Sequence, residues 1–127
     1  MRCVKVIASP DGESRFGEID IEQHEGPYAE NVPPVFVSQP LPAQALVVVT
    51  MPDDVSTTVL HPAPQRQIVI VLDGEFEIET SDGDRRTVPP GGSILFEDTT
   101  GRGHVTRVLR SPASFLAVPL ADSTLRT

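Results

Sequence analysis

A chain of 127 residues with a formal net charge of −8 has room for one domain around one core. Its acidity argues against a phosphate backbone as partner. Hydrophobic residues make up 39% and charged residues 22%, the balance of a globular protein, and no apolar run reaches the roughly 18 residues of a membrane helix.

Thirteen prolines and nine glycines break the chain every few residues, leaving little room for helices. The core must be mainly Val, Leu and Ile, which suit strands, because Trp is absent and aromatics are only 5%. In chain order, Val4–Ala8 reads as a first strand, with the single cysteine, Cys3, at its start as a small buried hydrophobe. After the turn Asp11-Gly12-Glu13-Ser14, the region Phe16–Ile21 reads as a strand with one solvated face. From Gln23 to Pro34 there is no periodicity, which predicts a surface loop, and His24 within it reads as solvated. Val35-Phe36-Val37 is a short strand. Leu46–Met51 is continuously apolar, which predicts a buried strand covered on both faces. Thr57–Leu60 leads into His61.

The richest stretch runs from His61 to His104. An apolar run, Ile68–Leu72, is followed by a turn at Asp73-Gly74 and an alternating strand, Glu75–Glu79. Its glutamates form a solvated face with no assigned role. Turns at Ser81–Asp84 and Pro89–Gly92 frame a strand opening at Ser93, and Thr99–Gly103 forms a polar loop. Val105–Arg110 and Ser114–Leu120 are the last strands, separated by a turn at Ser111-Pro112, and the polar tail 121–127 is expected to fray. About ten short strands with turn signals every 8–12 residues or so describe an all-β sandwich or barrel with little helix.

Residues 57–119 resemble the cupin superfamily. The family's first motif, G-x5-H-x-H-x3/4-E-x6-G, fits in its second half, with Gln67 in the glutamate position and Gly74 as the closing glycine. This register puts His61 and Ala63 in the two histidine slots. The second motif begins G-x5-P-x-G, matched by Gly83, Pro89 and Gly91, and its histidine is assigned to His104. The phrases His61-Pro62-Ala63-Pro64-Gln65-Arg66-Gln67 and Glu97–His104 are also similar to a subgroup of small cupins without an assigned reaction. The resemblance implies a single domain, 1–127, folded as a cupin-type double-stranded β-helix or jelly-roll barrel.

Cupins hold a divalent metal with three histidines and a glutamate, so the resemblance implies a zinc, iron, manganese or nickel site built on His61, His104 and Gln67. This chain departs from the pattern. Ala63 has no donor, and Gln67 offers a neutral amide oxygen, a weak ligand for a transition metal. A carboxylate from Asp98 or Glu97 would complete a two-histidine face. The alternative is metal-free: a His–carboxylate pair acting as general base, as in cupin-like sugar epimerases. The candidate catalytic residues are therefore His61, His104, Asp98 and Glu97. Glu97 and Asp98 are adjacent, so strand parity sends one inward and one outward. Gln67, Thr106 and Arg66 are candidate substrate contacts, although parity with Gln67 turns Arg66 toward solvent.

Parity further predicts that His61, Gln67, Val69, Val71, His104, Thr106 and Val108 face the interior. The preferred expectation is a small-molecule enzyme working by proton transfer or metal-assisted chemistry. The alternative is a non-catalytic small-ligand-binding module with an apolar pocket. A lone cysteine fits a reducing cytoplasm, and no nucleic-acid or membrane partner is expected. The N-terminal strands can extend a sheet or pair with a neighbour across a two-fold axis, and a homodimer is expected.

Overall fold

The computed structural model describes residues 1–53 and 59–126. The expected entry through Thr57 and Thr58 lies outside the described residues. The protein is all-β: among the described residues the strands are β1 (Arg2–Ala8), β2 (Ser14–Asp20), β3 (His24–Gly26), β4 (Val35–Val37), β5 (Val47–Met51), β6 (Gln67–Thr80), β7 (Arg85–Val88), β8 (Ser93–Phe96) and β9 (His104–Pro119). A seven-stranded sheet runs β2-β1-β8-β6-β9-β5, with β7 joined to β6, and β3 and β4 form a separate pair. Only β1 and β8 among the paired strands of the large sheet run parallel. The N-terminal strands thus extend the chain's own sheet. Among the described residues, no helix is long and apolar enough to cross a membrane.

Two strands replace what the sequence reads as four. Asp73-Gly74 is an irregularity within one long β6, where the register against β9 shifts between Val71 and Phe76. Gly74 takes φ +74° there, and a Cβ at this position would meet the carbonyl oxygens of Arg110 and Pro112. A turn dipeptide in the sequence also serves as a bulge when the partner strand continues past it. Ser111-Pro112 likewise falls inside β9. The turn at Ser81–Asp84 is a true hairpin, closed by the Thr80 amide on the Asp84 carbonyl at 3.0 Å. Hydrogen bonding, led by the Thr80 hydroxyl, holds the Asp82 carboxyl below the ordinary aspartate range.

The sheet buries both faces where β6, β8 and β9 lie together. Val69, Val71, Ile94, Phe96 and Ala117 pack on one side with Val6, Phe76, Ile78 and Val88. The intervening Ile68, Leu95 and Val118 pack on the other with Cys3, Ile21 and Leu120. Continuous apolar runs in β6 and β8 follow from this double burial.

The same rule fails at β5. Among the described residues this strand is a sheet edge paired only to β9, and Val48 is 64% exposed. The run Leu46–Met51 is therefore not covered on both faces. Other sequence expectations are corrected similarly. His24–Gly26 is a strand paired with β4 rather than loop. The tail docks instead of fraying: Thr124 is buried, its hydroxyl donates to the Pro42 carbonyl at 2.8 Å, and Leu125 packs beside the second cluster. Glu77 and Glu79 are not a freely solvated face, because both accept from Arg107, at 3.3 and 2.7 Å. This pairing, Glu79 first, raises the Arg107 guanidinium's already high affinity for its proton.

Cys3 is a free thiol buried in β1, the neighbour of β8 in the sheet. Burial raises its pKa, opposed by hydrogen bonding from Ser93. The unfolded thiol ionises near 8.5 or so, before the folded one does. The stability this burial contributes is therefore fully present below that pH and is lost as the pH rises through the folded value. Iodoacetamide should label Cys3 slowly in native protein at pH 8 and rapidly in urea. Equal rates in the two states would show that the thiol is accessible.

Candidate functional site

β6, β8 and β9 expose their first apolar face to a cavity of about 400 Å³. Its polar lining comprises His61, Gln65, Gln67, His104 and Thr106; the other described lining residues are apolar. Of the positions expected inside by parity, His61, Gln67, Val69, Val71, His104 and Thr106 line this cavity, and Val108 packs against the adjoining core.

His104 begins β9, and its backbone forms an isolated antiparallel bridge with His61. The two residues exchange N–H···O hydrogen bonds, each 3.0 Å long. Their rings lie 5.0 Å apart between centroids. His61 is exposed, whereas His104 is buried, so His61 stands at the mouth and His104 deeper. Phe96, the last residue of β8, stacks on the His104 ring at 4.4 Å. Gln67 is paired with Phe96 across the strands, and Thr106 lies two residues beyond His104.

Asp98 is fully buried, and its Oδ2 lies 2.6 Å from His104 Nδ1. A carboxylate only accepts, so the Nδ1–H donates to Asp98, and in the neutral imidazole Nε2 carries the lone pair. The other Asp98 oxygen has no hydrogen-bond partner among the described residues. The peptide of Asp98 is held as well, since its carbonyl accepts from the Ala63 amide at 3.0 Å.

Glu97 goes the other way. Its carboxylate meets Arg66 Nε at 2.9 Å and Lys5 Nζ at 3.4 Å, and neither Glu97 nor Arg66 lines the cavity. The placement of Glu97 beside the histidines and of Arg66 among the substrate contacts is corrected accordingly. Arg66 is not solvated either: its side chain is 9% exposed, and it also donates to the Thr124 carbonyl. Adjacent carboxylates on a strand end take opposite faces, and the two nearby cations draw Glu97 outward.

A clamp that the sequence reading missed holds the loop before His104. The Ser14 hydroxyl donates to the Gly103 carbonyl at 2.6 Å, and the Arg102 amide donates to the Gly12 carbonyl at 2.8 Å. Arg102 also reaches Glu13 at 3.1 Å. Ser81 and Arg102 hold the Glu13 carboxyl below the usual glutamate range. The signal for this clamp was Gly101-Arg102-Gly103 itself, since glycines beside a candidate histidine mark close backbone approach.

The matched positions do not fit a tightly held divalent metal. Ala63 presents a methyl group and Gln67 a neutral amide, while Asp98 is committed to the far side of the His104 ring. His61 Nδ1 faces the Val59 carbonyl at 3.3 Å. Among the described residues no three His, Cys, Asp or Glu side chains come together as a ligand group. Tight zinc or iron sites need three such donors.

In comparisons with known proteins, no family model matches the chain, and no curated protein matches it either.

Proposed function

We propose that this chain is a cupin-type enzyme that moves a proton on a small molecule, with His104 as the base. The observation that carries this reading is the Asp98–His104 pair at 2.6 Å, facing a cavity of ligand size. Asp98 holds the imidazole in the tautomer that leaves Nε2 able to accept. Phe96 holds the plane of the ring. In the proposed step Nε2 takes a proton from the carbon beside a carbonyl, leaving an enolate, and the resulting imidazolium returns a proton to that carbon. Gln67 and Thr106 offer hydrogen bonds at the same cavity, and His61 is the polar group at its mouth.

Support for the cupin assignment is the spacing of Gly83, Pro89 and Gly91, together with the bridge that brings the motif-matched His61 and His104 side by side. The apolar walls favour the second reading, a binding module, so the test must read chemistry. Wild-type protein in D2O should exchange the α-protons of 1-phenylpropan-2-one faster than buffer, as read by proton NMR. His104→Gln should abolish the excess rate. Asp98→Asn should lower it by about 10²–10⁴. Exchange no faster than buffer with wild type would reject proton transfer on this ketone, and a full rate in His104→Gln would reject the named base.

A further inference from the structure

The chemistry of the cavity wall defines a ligand class. None of its described lining residues is lysine, arginine, aspartate or glutamate. The cations that an anionic ligand would need are engaged elsewhere. Arg66 is held by Glu97 and the tail, Arg107 by Glu77 and Glu79, and Arg86 lies over the Phe16 ring at 4.9 Å. Protonation of His104 does not supply a free positive charge, because Asp98 already neutralises it at 2.6 Å. The chain's net charge of −8 further repels anions.

A cationic ligand fares no better, since no carboxylate lines the described wall to replace its hydration, and burying an unpaired charge is strongly unfavourable. The polar groups are gathered around His104, with Gln67, His61 and Thr106. Val71, Phe76, Ile78, Val88 and Phe115 supply an apolar remainder. A cavity of about 150 Å³ already admits benzene, so about 400 Å³ holds a ring or branched chain with an attached polar head.

We infer that the cavity takes an uncharged, largely apolar small molecule carrying one carbonyl or hydroxyl group, and that it rejects carboxylates, phosphates and amines of the same shape. This inference rests on the proposed site being the ligand site, but not on its doing chemistry. It excludes as ligands the nucleotide sugars and phosphorylated metabolites that need a basic pocket.

The test uses the full chain and the neutral fluorophore N-phenyl-1-naphthylamine at pH 7.5. Three competitors of similar shape are compared: 1-phenylpropan-2-one, phenylacetate and phenethylammonium. The ketone should displace the fluorophore at a concentration lower than either ion by about ten-fold or more. Val49→Phe and Ala117→Leu, both filling the cavity, should weaken fluorophore binding, with circular dichroism verifying the fold. Val49 is a half-buried residue of the edge strand, so at least this variant is expected to fold. Displacement by phenylacetate as readily as by the ketone overturns the inference. So does fluorophore binding unchanged in the folded cavity-filling variants, since the dye would then be bound elsewhere. Selective ketone binding without α-proton exchange supports the ligand class while rejecting the catalytic reading. Exchange with equal affinity for ketone and phenylacetate does the reverse.

Discussion

His104→Ala is expected to destabilise the fold by about 3–5 kcal/mol, far more than the loss of a few ring contacts. The reason lies in Asp98. Its carboxylate is fully buried, one oxygen bonds His104, and the other has no partner among the described residues. Removing the imidazole leaves a buried charge unpaired. Adding Asp98→Asn to His104→Ala should therefore recover part of the loss, because an unsatisfied neutral amide costs only about 1–3 kcal/mol. Urea unfolding followed by far-ultraviolet circular dichroism measures both variants, and the double-mutant cycle isolates the coupling. A loss below about 1 kcal/mol for His104→Ala would mean that water satisfies the carboxylate and that the pair is not needed for the fold.

Gly103→Ala is the second large effect, and Gly91→Ala is its control. Both glycines have positive φ, +77° and +84°, so alanine pays the left-handed penalty of about 1–2 kcal/mol at either site. Around Gly91 a Cβ would meet nothing within 4 Å. At Gly103 it would overlap the backbone carbonyl of His61. The His61 segment must then move away, breaking the paired hydrogen bonds that join it to His104. Overpacking adds about 1–3 kcal/mol, so Gly103→Ala should cost about 3 kcal/mol or more and Gly91→Ala about half that. Ketone exchange should vanish in folded Gly103→Ala and persist in Gly91→Ala. Equal costs at the two sites would show that the His61 segment yields readily and does not fix the position of His104.

The strands were legible because alternation, β-branched residues and turn glycines act over a few neighbouring residues. That His61 and His104 face one interior was legible only through the spacing of the glycine and proline punctuation around them. Whether Asp98 or Glu97 accompanied the histidine was not. Parity separates the two carboxylates, but the choice between them depends on Lys5 and Arg66, which come from distant parts of the chain and hold Glu97 on the opposite face. Val48 makes the same point through burial. Its apolar neighbours in sequence state what the strand favours, yet a strand is covered only if another lies beside it, and β5 falls at the sheet edge. Asp73-Gly74 likewise encodes a sharp change of direction, and whether this became a hairpin or a bulge was set by the continuation of β9 alongside. The all-β class and the inward parity of Gln67, Val69 and Val71 follow from the sequence alone, because both depend on local backbone geometry. The tertiary structure alone decided which carboxylate is buried, which strand is left at the edge, and that the cavity wall carries no formally charged side chain among its described residues, because burial and ion pairing depend on which distant segments come to lie side by side.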